Sequence, residues 1–407
     1  MRFILNLCRD KGISLAAAWS FNQLAYAIVY PFIPIYLHQE RGLPYSQVSL
    51  IFPLLGLAVI LAPLPCGWLT DNFGHNQMML AGQYLRGVIF FILAFFVYIQ
   101  APFWMFAAAL MFNTAVGCAF QVGSDAYLVS IASPAERPAY YGKIRIGYNI
   151  GWATGPMLGA FFADTPFWAF FIITGLLCVA GTVYTKVSCC RNDIQADPAA
   201  DKTDKSSQTP DIPILKAIFG NPRFLLLMLG TLLLMMLASQ LYSTMSVFST
   251  QCVGISNQAL GSIYSLNGFM VLILQLPITA LLTKMRIPLT IQLLLGTLLY
   301  TAGYFQLGFA DGAWFIAAAV IIVTLGEIVI QPALYTAVSA EANRGNAGRM
   351  MSASSLMRGI GYSAGPWVGG QLFGKVSPLV LWGVLSSFAV AAAVTFVLSG
   401  SKFRKKA

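Results

Sequence analysis

Two carboxyl groups in this sequence stand where hydrocarbon-length runs of apolar residues surround them. Of fourteen Asp and Glu residues, Asp125 and Glu327 alone fall inside such runs. A charged acid at the centre of a bilayer costs about 2.5–3.5 kcal/mol, so an intramembrane carboxyl is read first as functional. Burial disfavours the charged form of a carboxyl, and a group so placed can exchange a proton near neutral pH. Proton coupling is therefore expected first of Glu327, near the middle of its run, and next of Asp125, nearer one end. Three arginines, Arg86, Arg145 and Arg358, also lie too deep for loops. Counted along the helices, each acid differs in height from an arginine by about 4–6 Å, giving the expected pairs Asp125–Arg145 and Glu327–Arg358. In the plainer reading each pair simply ties two helices together. Arg86 is expected to snorkel to the membrane surface unless it faces Asp125.

Those groups need long helices to hold them. The 407 residues are 58% hydrophobic and 9% charged, with a mean hydropathy of +0.73, whereas soluble domains carry about 25% charged residues. Crossing roughly 30 Å of hydrocarbon takes about 20 apolar residues. That ruler gives spans near 15–37, 46–68, 78–99, 103–129, 140–163 and 166–186, then 223–248, 258–283, 288–309, 313–338, 350–373 and 378–399. The expected fold is an all-α membrane protein of twelve transmembrane helices. Between the two sets of six, residues 188–221 are rich in Asp, Lys, Ser and Pro and read as a cytoplasmic linker. The domains are thus 1–187, a six-helix half, the linker 188–221, and 222–407, a second six-helix half.

The net charge of +10 could suggest a nucleic-acid partner, but its distribution argues for topology. Apart from the three span arginines, only Arg41 and Lys375 fall in loops on the outer side when the amino terminus is placed inside. The other basic residues lie on the inner side, from Arg2, Arg9, Arg191, Lys202, Lys205, Lys216 and Arg344 to Lys402, Arg404, Lys405 and Lys406. This bias puts both termini in the cytoplasm. The seven cysteines show no CxxC spacing, and Cys8, Cys189 and Cys190 fall on the reducing side, so no disulfide framework is expected. The eight residues before Arg9 are too short for a signal-peptide core, leaving targeting to the first helix.

The halves repeat. Gly151-x-x-x-Gly155-Pro156-x-x-Gly159 recurs, 210 positions on, as Gly361-x-x-x-Gly365-Pro366-x-x-Gly369. Upstream, Pro134-Ala135-Glu136-Arg137 and Ala340-Glu341-Ala342-Asn343-Arg344 occupy equivalent turns. Parallel halves of this kind are a transporter architecture, with substrate bound near midplane where the halves meet. Glycines at four-residue spacing bring helix backbones close, and a proline inside a helix removes a donor and kinks it. Tight packing is the leading role for both motifs.

The turn Gly67-Trp68-Leu69-Thr70-Asp71-Asn72-Phe73-Gly74-His75-Asn76 is similar to the GxLxDxxGxxx signature of the major facilitator superfamily, through Gly67, Leu69, Asp71 and Gly74. The Gly-Pro-Gly motif of span five resembles the antiporter signature of that family's twelve-span drug:proton antiporter branch, and span ten, with Gly326-Glu327 and Pro332, resembles its exporters. The sequence departs from the pattern at His75 and Asn76, where Arg or Lys is usual. It departs again at Asn113, where span four usually has a basic residue, and at Ile131, where an acid is common. The resemblance implies the major facilitator fold, two pseudo-symmetric six-helix bundles that rock about a cavity, with Gly67, Asp71, Gly74 and His75 as a cytoplasmic gate loop. Asp71 is expected near a helix N-terminus, and His75 as a solvated loop histidine.

Polar and aromatic residues within spans are the cavity candidates: Asn22, Gln23 and Tyr26 with Tyr30 in span one, Tyr148, Asn149 and Trp152 in span five, then Tyr242, Asn267, Tyr335 and Tyr362. Such a lining suits an amphiphilic or weakly basic organic substrate. Enzyme readings fail for lack of parts: no G-x-x-x-x-G-K-[ST], G-x-S-x-G or H-E-x-x-H stretch occurs. His38 and His75, the two histidines, fall on opposite sides, so no metal and no cofactor is expected. The resulting expectation is a monomeric secondary transporter of the plasma (bacterial inner) membrane. It exports a small drug-like or amphiphilic molecule against protons, its partners being substrate, protons and lipid, with no nucleic acid. A proton symporter importing a metabolite is the first alternative, and a non-transporting membrane sensor or assembly factor the second.

Overall fold

The computed structural model describes residues 10–133, 136–162, 165–189, 221–341 and 347–400. Most of the expected linker 188–221 lies outside them. So do Pro134, Ala135, Ala342, Asn343, Arg344, Cys8, Cys190 and the basic residues Arg2, Arg9, Arg191, Lys202, Lys205, Lys216, Lys402, Arg404, Lys405 and Lys406.

Twelve helical segments run through the described residues. α1 is Lys11–Val29 with the turns Tyr30–Phe32, Ile33–Ile35 and Tyr36–Glu40; α2 joins Tyr45–Val48, Ile51–Leu61 and Pro63–Phe73; α3 is His75–Tyr98. α4 is Phe103–Ile131, α5 Arg137–Phe161 and α6 Phe167–Ser188. α7 joins Pro222–Ala238, Ser239–Tyr242 and Thr244–Gln251; α8 is Asn257–Lys284; α9 is Leu289–Phe305 with the turn Gln306–Phe309. α10 is Ala313–Glu341, α11 Ala347–Leu372 and α12 Pro378–Gly400. Seven of these are by themselves long and apolar enough to cross a membrane, and eight if the bent α2 counts as one span. The other four fall short for physical reasons. α1 and α9 are interrupted by tighter turns. α5 and α11 trade apolar side chains for glycine and polar residues that their packing uses. Large side chains on the outside are apolar, as with Leu64 at 82% and Leu276 at 76% exposure, the arrangement lipid requires. The protein is an integral membrane protein.

Equivalent helices start in equivalent ways. Asp10 caps α1, its Oδ1 accepting from the backbone N–H of Gly12 (2.8 Å) and of Ile13 (3.2 Å). Asn221 caps α7 through Arg223 and Phe224, at 3.1 and 3.3 Å. Each side chain satisfies N–H groups that the first turn leaves without helical partners. Asp10 also ties α1 to α5, its Oδ2 accepting from Lys143 Nζ at 2.6 Å. The Lys143 hydrogen bond, then those from Ile13 and Gly12, hold the Asp10 carboxyl below the usual carboxylate range despite partial burial. A depressed acid stabilises the fold above its unfolded-state pKa and loses that contribution as pH falls through the folded value. Asp10→Ala should therefore lower the unfolding midpoint at pH 7, by a cap's worth of about 0.5–2 kcal/mol. In detergent thermal melts that deficit should vanish once the pH drops below the carboxylate range.

The described helices form two compact units. The first holds α3 to α6, α1 as far as Ile33, α2 from Leu57, and Asn257–Leu272 of α8; the second holds Pro34–Gly56 with α7, the rest of α8, and α9 to α12. Within the first, α1 packs along α5 and α6, and α3 along α4 and α6. The second repeats the scheme with α7 along α11 and α12, and α9 along α10 and α12. The glycine motifs make the matching seams. A Cβ at Gly151 would stand 2.7 Å from the Leu24 nitrogen and one at Gly155 2.4 Å from Ala27 Cβ, both on α1. One at Gly361 would stand 2.5 Å from the Leu232 carbonyl oxygen and one at Gly365 2.2 Å from that of Met236, both on α7. A proline inside a span is also accommodated. Pro332 leaves the Ile328 carbonyl without its helical donor, and Gln275 Nε2 donates to that oxygen at 3.0 Å.

Candidate functional site

Each unit holds a buried or half-buried arginine, cradled in the same way. In the first, Arg86 of α3 does not snorkel. It is 6% exposed and turns inward, Nη1 donating to Asn22 Oδ1 in a very short hydrogen bond. Its guanidinium carbon lies 5.4 Å from the Tyr26 ring centre and 6.0 Å from that of Phe90. Asn113, where the family pattern leads one to expect a cation, is buried and donates Nδ2 to the Arg86 carbonyl at 3.3 Å. Gly117, one turn on, leaves room for the guanidinium, whose atoms would be 3.5 Å from a Cβ there. The positive charge beside this stretch of α4 thus comes from α3. Tyr26 and Tyr30 stack at 4.8 Å, and Trp152 of α5 stands edge-on to them at 6.1 and 6.3 Å. All three rings are half-buried, and Tyr148, against Trp19, is exposed.

In the second unit Arg358 of α11 donates Nη2 to Gln331 Oε1 at 2.5 Å, and its guanidinium carbon lies 4.9 Å from the Tyr335 ring centre. Asn22 and Tyr26 are four apart on α1; Gln331 and Tyr335 are four apart on α10. That spacing puts amide and ring on one helix face, where together they offer an oxygen and a π-cloud to a cation. Glu327 stands one turn before Gln331 on the same face, half-buried. It lies, with Arg358 and Tyr362, within electrostatic reach of the buried Tyr300 of α9. The proton-coupling candidate Glu327 and its charge partner Arg358 therefore share one neighbourhood, with Gln331 as the direct partner of the arginine.

The remaining candidates scatter. Asp125 is half-buried on α4, and Arg145 is exposed on α5. Gln23 lies in the α1–α5 seam, its Cβ 2.7 Å from where one on Gly151 would stand. Asn149 and Tyr242 are half-buried; Asn267 is 5% exposed on α8, next to Gly268, which meets Ala153 of α5. Gly67 lies inside α2 and not in a loop, and Gly74 alone makes the turn to α3; neither has a neighbour that a Cβ would meet, and Gly74 takes φ +85°, a conformation that suits glycine. Asp71 is exposed in the last turn of α2, and α3 starts without a side-chain cap, so Asp71 does not cap that N-terminus. His75 is the first residue of α3 and is half-buried, its ring 5.6 Å from Tyr127. It is not a solvated loop histidine.

Some contacts had no sequence signal. Gln331, Tyr300 and Gln275 look like ordinary span residues until their partners are known. In the second unit His38 joins the end of α1 to that of α7, with Nε2 2.7 Å from Gln251 Oε1 and Nδ1 2.7 Å from the Leu43 carbonyl. The carbonyl can only accept, so Nδ1 carries a proton.

The profile of the Major Facilitator Superfamily matches residues 15–366. The chain is 26% identical over 382 residues to the uncharacterized MFS-type transporter YqjV of Bacillus subtilis (strain 168), covering 91% of this chain and 88% of that one. It is 23% identical over 390 residues to the multidrug resistance protein MdtH of Citrobacter koseri, covering 94% and 92%. Among solved structures, a POT family transporter in complex with a thioalcohol-conjugated peptide superposes with a TM-score of 0.79 at 15% identity, over 98% of this chain and 97% of that one. The nucleoside transporter NupG superposes with 0.76 at 14%, over 96% and 100%. Twelve helices in two like-packed sets, seams of glycine, and a profile match over most of the length all agree: the chain belongs to the major facilitator superfamily and is a transporter.

Proposed function

We propose that this transporter exports a small organic molecule in exchange for protons by alternating access, with Glu327 as the principal proton carrier and Asp125 as a second. The reading places it in the plasma (bacterial inner) membrane as a monomer with both termini cytoplasmic, and the bias of Lys and Arg supports that orientation. The observation that carries it is the neighbourhood of Glu327. An acid on a helix that contains Pro332 sits one turn from the amide that holds Arg358. Protonating it removes a negative charge beside that arginine and changes how α10 holds α11. A membrane potential of 100 mV contributes about 2.3 kcal/mol per charge moved, so one proton per cycle is enough for useful export. Similarity to the multidrug resistance protein MdtH supports export of drug-like compounds. The segment with Gly67, Asp71, Gly74 and His75 is the proposed gate element.

The test is proton movement in liposomes containing the purified protein, with a pH dye inside and a panel of organic compounds added outside. Compound-dependent proton flow opposite to the compound supports the exporter. Flow in the same direction would make the protein a symporter, and substrate flux without proton flow would remove coupling altogether.

A further inference from the structure

Among the described residues Arg86 is a charge without a counter-charge. Arginine stays protonated under all ordinary conditions, so it cannot escape burial by neutralising itself as a lysine or carboxyl does. Among the described residues its side chain meets only neutral groups: the Asn22 amide, the faces of Tyr26 and Phe90, and the glycine at 117. The thiols of Cys118 and Cys178 also lie within its electrostatic reach. One of its five N–H donors has a described acceptor, and Nε is buried with none. Asp125, the nearest acid along α4, is eight residues past Gly117, about 12 Å along a helix. A cation that is buried and unpaired this way is strongly unfavourable. Such intramembrane residues mark ligand pathways.

What stands beside the charge points to a ligand class. Tyr26, which faces the guanidinium, also stacks on Tyr30, and Trp152 meets both edge-on. Tyr26 is the ring between the guanidinium and Tyr30, and all three rings are half-buried. A flat or aromatic body against the rings would place an acidic head toward Arg86. Asn22 holds the guanidinium in the meantime and is a weak competitor, since a neutral amide offers one oxygen where a carboxylate offers two and a full counter-charge in bidentate geometry.

We propose that Arg86, with Asn22 and the Tyr26–Tyr30–Trp152 wall, is the subsite for the carboxylate of an aryl or similarly flat organic acid. The substrate class is therefore an organic anion, not the weakly basic amphiphile that the lining composition alone suggests. This rests on the transporter reading above but not on its direction or its coupling.

The experiment is binding by purified protein in detergent, read by thermal stabilisation and by Trp fluorescence. The probes are benzoate, cinnamate and 1-naphthoate, each with its matched carboxamide, and 1-naphthylamine as the basic counterpart. The expected result is that the acids bind at least about tenfold more tightly than their carboxamides and that Arg86→Gln removes the preference. Asn22→Asp supplies the anion internally. It should raise thermal stability and abolish binding of the acids, a pairing that a merely structural arginine would not produce. Asn22→Asp also keeps the idea testable if Arg86→Gln does not fold. Equal affinity for acid and carboxamide, no binding of any acid, or an acid preference that survives both substitutions would each overturn the subsite. An acid preference that holds while liposomes show no proton exchange would overturn the exporter reading and leave the subsite standing.

Discussion

Glu327→Gln is expected to abolish proton-driven transport while leaving exchange of substrate across a membrane with no pH gradient. The substitution keeps the shape and the hydrogen-bonding capacity of the side chain but fixes it in a state resembling the protonated acid. If protonation is what lets α10 release its hold around Arg358, the variant should pass through the protonated half of the cycle and never return a proton. Net uphill flux should fall by at least about a hundredfold, the order a general acid–base group contributes when it is removed. Counterflow should remain within a few-fold of wild type. The alternative, a structural Glu327 that merely balances Arg358, makes a different demand. Removing one member of a buried charge pair then costs about 3–5 kcal/mol, and the variant would melt early or fail to insert. A folded variant with unchanged proton-driven flux would eliminate Glu327 as the carrier and move attention to Asp125.

The sequence was most informative where a physical rule acts along the chain and least where it acts around it. Hydropathy counts residues per span, and the helices found here begin and end close to the expected limits. The helices mostly run longer, since a helix continues to its cap, as at Asp10 and Asn221, and not to the end of its apolar run. The repeat of Gly151–Gly159 at Gly361–Gly369 was equally legible, and its two seams on α1 and α7 follow from it. Azimuth was not legible. Height along a span suggested Arg145 for Asp125, but Arg145 is exposed. Arg86 could have reached the membrane surface by its height and instead turns inward to Asn22. Arg358 was placed beside Glu327, and the side chain that accepts its hydrogen bond is Gln331, one turn along the same helix. Polar amides carry no charge to flag them, so the two amide–tyrosine cradles became visible only once their arginines were seen in them. The need for Gln275 likewise comes from an orphaned carbonyl at Ile328, and no composition reports that.

Gly365→Ala should destabilise the protein severely, whereas Gly359→Ala on the same helix should be tolerated. The comparison isolates packing from helix propensity, because both glycines lie inside α11 and both substitutions favour the helix by about 1 kcal/mol. At 365 the new Cβ would stand 2.2 Å from the Met236 carbonyl oxygen and 2.3 Å from Ser239 Oγ, while at 359 nothing lies within 4 Å. The serine can rotate, but the carbonyl belongs to the α7 backbone, and Gln240 Nε2 donates to it at 3.0 Å. Relief therefore requires α7 and α11 to separate along the seam. In lipid, close van der Waals packing and small residues are what hold helices together, since burial of apolar surface gains nothing there. Overpacking of a rigid seam costs about 1–3 kcal/mol for small insertions and exceeds the propensity gain. Gly155→Ala, which would put a Cβ 2.4 Å from that of Ala27, and Gly142→Ala, which meets nothing, form the matching pair in α5. Thermal unfolding in detergent should rank Gly359→Ala and Gly142→Ala at or above wild type and both seam variants well below it. If all four melt together, the glycines are not the seam, and the repeat of the motif would have to be explained by something other than helix apposition.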